Sequence, residues 1–513
     1  MNNKLESIEK KIDKNPIKIL IILIVSAILI RVYFTQFNIP ISLDGIDYFA
    51  YAIAMSRDGP FPNGYLTTNI GWSSFVSIFF SIMQDQEMLT LMNIQKILSI
   101  IISTSIAIPV YFLTKIFFKK ELSILATALI LFDPRLIENS ISGITDSLFI
   151  LLVILGIYFI FHKKSKLIYL SFIFISLSAF VRYEGLLLIL PLIVSYLLKN
   201  KEINFSKIKF VVGILLFLSI IIPVNFINYE NNETTIFDHV IYPIKNILLN
   251  VIETNEPSNN DQFLQNKIII FNIENAITGL IKFIGWSLVP IFVIFIILSI
   301  IFIPKKITKN KIIFGIFFIF LTIPSIYAYG REFQDTRYVL TLLPIFTVLS
   351  CYGFNYLINH NFKKIIIISL IVISSFMFID YQKQNNVLES EMYNVSLLLS
   401  KEANGVNHFD GDKYIKVSDL QNNWPELLTK DEKGKMKLTT EKFSINEFTD
   451  PIEFIEFNKN KGLTHLLIKE GGNQGFFDKI FLNEQNYEFL EKIYDSEGII
   501  KYKIFKINYE KLK

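Results

Sequence analysis

A mainly α-helical protein that crosses a membrane many times and ends in a small soluble α/β domain is the fold class this sequence predicts. Of 513 residues, 52% are hydrophobic and the mean hydropathy is +0.44, above that of an ordinary soluble domain. Apolar runs recur at lengths near the roughly 20 residues a helix needs to cross a bilayer core. After residue 381 the composition switches to charged residues with short β-prone runs such as "THLLIK" and "IIKYKIFKI". A formal net charge of +4 supplies no global basic field, so no nucleic-acid partner is expected. The single cysteine, Cys351, excludes an intramolecular disulfide framework. No cleavable signal is expected, because the first apolar run is too long for one and no small-residue cleavage site follows it.

Taken in order, the apolar runs give about 11 spans: 17–37, 91–117, 121–133, 145–162, 167–182, 185–198, 210–228, 283–303, 312–329, 338–357 and 365–381. Lysines cluster before the first span and in alternate turns, at Lys115–Lys120, Lys163–Lys166, Lys199–Lys209, Lys305–Lys311 and Lys363–Lys364. The positive-inside rule then places the amino terminus in the cytoplasm of a multi-pass cell-membrane protein. Residues 1–381 form the membrane domain, with external loops 38–90 and 229–282, and 382–513 form the extracytoplasmic domain. The first loop contains "NIGWSSFVSIFFSIM", suited to a helix lying in the membrane interface. The second contains "ETNEPSNND", whose composition predicts mobility. Asn232 and Asn394 stand in external N-x-Ser/Thr sequons.

Charged residues gather at the external ends of these spans. Asp44 and Asp47 follow the first span and share a face if their stretch is helical. Arg31 lies inside that span; Asn93 and Lys96 open the second; Asp133, Arg135, Glu138 and Asp146 lie around the third-to-fourth turn. "FVRYEGL" supplies Arg182, Tyr183 and Glu184, and "YGREFQDTRYVLTLLP" supplies Arg331, Glu332, Asp335, Arg337 and Tyr338. A single arginine of this kind can snorkel to headgroups, and a carboxylate pair can be a solvated helix start. A whole set on one side of the membrane points to function, because charge at membrane depth is costly.

Four stretches carry a resemblance. "IRVYFTQFNIPISLDGIDYFAYAIAMSRDG", "GITDSLFILLVILGIYF", "SAFVRYEGLLLILPL" and "DTRYVLTLLPIF" follow one another as do the motifs of the GT-C superfamily of multispanning glycosyltransferases. The chain resembles most the branch of protein mannosyltransferases and aminoarabinose transferases, over roughly residues 15 to 380. Gly45 stands where the second acid of that family's pair often is, with Asp47 two positions on, and Asp146 replaces a glutamate.

The resemblance implies an inverting hexosyl- or pentosyltransferase. It would move a sugar from a polyprenyl-phosphate carrier to a protein, lipid or glycan acceptor on the external face, among membrane lipids. It implies Asp44 as general base and Asp47 as its orienter or as a second acceptor contact, with Arg182, Arg331, Arg337 and Lys96 as candidates for the donor phosphate. Asp133, Glu138, Asp146, Glu184 and Tyr183 are candidates for an acceptor or second acidic site. No cofactor is certain. The five histidines, 162, 239, 360, 408 and 465, lack ligand spacing, but Asp44 with Asp47, Asp133 or Asp146 could hold Mg or Mn through oxygen. Two alternatives stay open: an oligosaccharyltransferase of the same superfamily, although "NNWPE" is a poor substitute for a Trp-Trp-Asp motif, and a multispanning transporter, although no internal repeat is evident.

Overall fold

The computed structural model describes residues 16–512 apart from 42–43, 61, 63–68, 84–85, 163–164, 200–206, 233–234, 239, 242–270, 289–291, 303–307, 358–360, 383, 403–407, 410–417, 419–420, 422–447, 472–475, 497 and 499–500. The "ETNEPSNND" and "NNWPE" stretches and His239 and His360 lie outside the described residues. The chain divides into two compact units, one of residues 1–35, 51–81 and 95–379, the other of 36–50, 82–94 and 380–513. Much of the predicted first external loop therefore clusters with the carboxyl-terminal residues, while 51–81 clusters with the helices.

The larger unit is helical. Among the described residues four helices are long and apolar enough to cross a membrane: Pro16–Phe34, Met88–Phe117, Ile208–Ile227 and Lys309–Gly330. The second is interrupted by a turn at Ile106, which splits it into Met88–Ser105 and Ala107–Phe117. Shorter apolar helices lie at Asp146–Ile160, Lys166–Val181, Tyr183–Leu198 and Ile366–Asp380. The count of about 11 spans remains a proposal beyond these four.

Two predicted boundaries are corrected. The 283–303 run contains two helices, Ile273–Leu288 and Phe292–Phe302. The first starts inside the predicted loop because Asn272 caps it, its Oδ1 accepting from the N–H groups of Glu274 at 2.8 Å and Asn275 at 3.2 Å. The turn after residue 133 is itself a helix, Pro134–Ile141, started by proline at its first position and by Asp133 Oδ1 accepting from Leu136 N–H at 2.8 Å.

Arg31 shows how this unit tolerates a charge in an apolar helix. Its guanidinium is fully buried. It donates to Leu131 O at 2.8 Å, Ser140 Oγ at 3.1 Å, Ala27 O at 3.3 Å and Ser103 Oγ at 3.3 Å. One side chain thus ties helix Pro16–Phe34 to three other segments, and its donors are met by oxygen rather than left in apolar surroundings.

The smaller unit is built on four strands. His408–Phe409 pairs parallel with His465–Lys469, which pairs antiparallel with Tyr502–Ile507, which pairs antiparallel with Leu490–Asp495. Alternation along the second strand divides the core. Leu466 and Ile468 join Phe454, Phe477 and Ile480 on one face, while Leu467 joins Val395 and Leu399 of helix Gln384–Glu402 on the other. A sheet with helices on both faces is the α/β arrangement the tail's composition predicts.

Candidate active site

Helix Lys166–Val181 ends where Arg182 adopts extended backbone (φ −146°, ψ 128°), and a 3₁₀ turn, Tyr183–Leu188, follows. That break aims the Arg182 side chain at two carboxylates. Its Nη1 bonds Asp146 Oδ1, while its Nη2 donates to Glu184 Oε1 at 2.8 Å and its Nε to Glu184 Oε2 at 3.4 Å. Asp146, at the start of helix Asp146–Ile160, is fully buried and also accepts from Asn139 Nδ2 at 3.0 Å. Arg182, Asp146 and Glu184 were predicted separately as phosphate and acidic candidates; the structure brings them into one cluster. By formal charge the cluster carries one more negative than positive group.

The cluster opens on a pocket with two kinds of wall. Phe149, Leu188, Phe320, Leu321 and Pro324 form the apolar side; Arg182, Glu184, Tyr338 and Thr341 form the polar side. Tyr183 lies within electrostatic reach of Tyr338 and Tyr327, and burial raises its phenol above the ordinary range. One turn beyond Pro324, Tyr327 OH accepts from Arg331 Nη1 at 3.0 Å. The Arg331 guanidinium also faces the rings of Tyr327 at 5.7 Å and Phe333 at 5.9 Å. Among the described residues no carboxylate pairs with it. Arg337 differs, since its Nε holds Asp335 Oδ2 at 2.6 Å with about a third of the side chain exposed.

The other predicted residues have these surroundings. Asp133 is buried as the cap described above. Glu138 takes Arg135 Nη1 at 3.1 Å, and burial raises its carboxyl above the usual range against the opposing pull of that arginine. The Arg135 guanidinium lies between the rings of Trp286 at 5.1 Å and Phe378 at 4.9 Å. Lys96 is buried on helix Met88–Ser105. Asp44 and Asp47 are exposed in the first turn of helix Asp44–Asp58, at i, i+3, in the segment that clusters with the smaller unit. Carboxylates in a first turn also favour the helix macrodipole. Among the described residues no group of three or more His, Cys, Asp or Glu converges as metal ligands.

Sequence reasoning missed Asn139 and Tyr327. Asn139 stands seven residues before Asp146 across a turn, and Tyr327 is one of two tyrosines near the end of an apolar helix, so neither breaks a pattern.

A family model described as dolichyl-phosphate-mannose-protein mannosyltransferase matches residues 71–227. No curated protein matches the chain in sequence. Among solved structures, the apo oligosaccharyltransferase of Archaeoglobus fulgidus superposes with a TM-score of 0.55 at 12% identity, covering 95% of this chain and 74% of that one. ArnT of Cupriavidus metallidurans bound to undecaprenyl phosphate superposes with a TM-score of 0.54 at 9% identity, covering 96% of this chain and 98% of that one. The chain therefore has the fold of the GT-C membrane glycosyltransferases, and the stretch that holds Asp146 and Arg182 matches a mannosyltransferase family model.

Proposed function

We propose that the protein transfers a sugar from a polyprenyl phosphate to a hydroxyl acceptor with inversion at the anomeric carbon. The observation that carries this reading is the two-walled pocket, aliphatic and aromatic on one side and polar on the other, with Arg331 two helical turns beyond Pro324 of its wall and bonded to Tyr327 between them. An isoprenoid phosphate needs both an apolar surface and a cation. ArnT, whose fold this chain shares, was solved with undecaprenyl phosphate bound.

Charge decides among the arginines. Two carboxylates already occupy Arg182, so a phosphate approaching it would meet net negative charge. Among the described residues Arg331 meets a hydroxyl and two aromatic faces and no carboxylate, and its planar fork can take phosphate oxygens bidentately. We assign Arg331 to the phosphate and Glu184 to the sugar hydroxyls. From the motif resemblance alone Asp44 is the proposed base: it takes the acceptor proton as the acceptor oxygen bonds to the anomeric carbon, and the bond to the phosphate oxygen breaks, its electron pair leaving with the lipid phosphate. Asp47 orients that base. In the alternative case of a bound Mg or Mn, Asp44 and Asp47 would be the carboxylates to hold it, and the ion would neutralise charge on the leaving group.

Binding of undecaprenyl phosphate to purified protein in nanodiscs tests the assignment. Wild type should bind the phosphate better than the free alcohol, and Arg331→Gln should lose that preference. Equal binding of phosphate and alcohol by the wild type would overturn it.

A further inference from the structure

We infer that Asn69, Gly71 and Trp72 form a positioning clamp that holds both sides of the buried Arg182–Asp146 pair, fixing the turn that carries Arg182 against the loop that delivers Asp146. The two charged residues are 36 positions apart and start or follow different helices. A buried ion pair offsets its desolvation only when its geometry is held closely. What holds it comes from a third place in the sequence.

On the arginine side, Asn69 Oδ1 accepts from Tyr183 N–H at 3.2 Å. That N–H opens the 3₁₀ turn next to Arg182, where no side chain of the turn's own capping residue supplies an acceptor. Two residues on, Gly71 begins helix Gly71–Ile82 directly against Val181. A Cβ at Gly71 would stand 2.8 Å from both N and Cα of Val181, backbone atoms that cannot swing aside. Glycine here permits a contact no other residue allows. On the carboxylate side, the indole of Trp72 is fully buried and its Nε1 donates to Gly143 O at 2.9 Å. Gln95 Nε2 donates to the same carbonyl at 2.7 Å. Gly143 has a φ of +69°, which favours glycine, and lies three residues before Asp146. Four consecutive residues, "NIGW", thus grip residues 181 and 183 with one end and residue 143 with the other.

The consequence is local. If the clamp loosens, the ion pair opens more often while the surrounding helix bundle stays packed, and the arginine is exposed in proportion to that opening. The role proposed for Glu184 rests on the sugar-transfer reading, but the clamp itself is testable without any sugar or acceptor.

The test is arginine modification by phenylglyoxal on the full-length protein in detergent, read residue by residue by peptide mass spectrometry. In wild type, Arg182 should be modified slowly and Arg331 faster. Asn69→Leu removes the acceptor, and Trp72→Phe keeps an aromatic ring but removes the donor. Each should raise the Arg182 rate by roughly tenfold, equivalent to about 1.4 kcal/mol of local opening, with Arg31, Arg135 and Arg331 unchanged. Asn69→Asp, which keeps the acceptor oxygen, should restore protection. An unchanged Arg182 rate in both folded variants would overturn the clamp. So would a parallel rise at Arg31 and Arg135, which marks general loosening. Neither result depends on whether the protein transfers sugar, and failure of sugar transfer would leave the labelling pattern standing.

Discussion

The Arg182 cluster and the Asp44–Asp47 pair present acidic groups in opposite ways. Around Arg182 two carboxylates are buried or nearly so and bonded to one guanidinium. Asp44 and Asp47 sit exposed at a helix start. Carboxylates bonded to one guanidinium tie the segments that carry them together. Carboxylates exposed at a helix start can be reached by an incoming acceptor. The contrast separates architecture from the proposed chemistry: under the sugar-transfer proposal the exposed pair supplies the base, while the buried cluster holds a pocket in shape.

The largest expected effect lies on the exposed side. Asp44→Asn should cost about 10²–10⁴-fold in turnover while the protein stays folded and binds polyprenyl phosphate, since only the proton acceptor is lost. Asp47→Asn should cost less if Asp47 orients the base and about as much if the pair holds a cation, and sensitivity of wild type to a chelator separates the two cases. Near-normal turnover in Asp44→Asn would collapse the distinction between the two regions.

On the buried side the expected loss is of stability. Arg182→Leu leaves Asp146 in the interior without its cation and should cost about 3–5 kcal/mol, read as a lower melting temperature in detergent. Arg182→Leu combined with Asp146→Leu and Glu184→Gln should recover much of that loss, because neither carboxylate of the cluster is then left charged without its cation. Equal melting of wild type and Arg182→Leu would show that the pair organises nothing.

A smaller effect separates the arginines. Arg331→Gln should weaken polyprenyl-phosphate binding about 10–100-fold, the range expected for charge-assisted hydrogen bonds. Arg337→Gln should do less, since Asp335 already occupies that guanidinium at 2.6 Å.

The smallest effect belongs to the terminal domain. Lys492 at 2.7 Å and Lys503 at 2.9 Å hold the Glu484 carboxyl below the usual carboxylate range. A depressed folded pKa adds stability that is present above the unfolded value, roughly 4.3, and is lost as pH falls through the folded one. Lys492 Nζ also donates to Asp495 Oδ2 at 3.0 Å, so Lys492→Met should cost under about 1 kcal/mol near neutral pH, and nothing once both carboxyls are protonated. Melting curves against pH check this, and a difference that grows in acid would reverse the sign.

What the sequence made legible follows from what each signal needs. Apolar runs and lysine clusters need no partner, so the helices at 16–34, 207–232 and 309–330 and the composition change at 381 could be read directly. The strands at 465–469 and 502–507 were legible because β-prone residues fill them. Arg182, Glu184 and Asp146 stood out singly as charges in apolar surroundings, but their joining depends on a chain reversal that spacing does not encode. Asn69 and Trp72 were read as part of an interfacial stretch, because a hydrogen bond to a residue 114 positions away has no local signature. The helix at 273–288 began earlier than hydropathy placed it, since its start is set by Asn272 capping rather than by apolar content.

The transfer reaction itself is the most direct test. Purified protein in bilayers, given polyprenyl phosphates bearing single radiolabelled sugars or labelled oligosaccharides and a membrane fraction of its host as acceptor, should release polyprenyl phosphate. The label should move to the acceptor with the anomeric configuration inverted, and Asp44→Asn should bind the donor without moving it. Label that stays on the lipid with every donor, while the wild-type protein is folded and binds polyprenyl phosphate, would contradict the account.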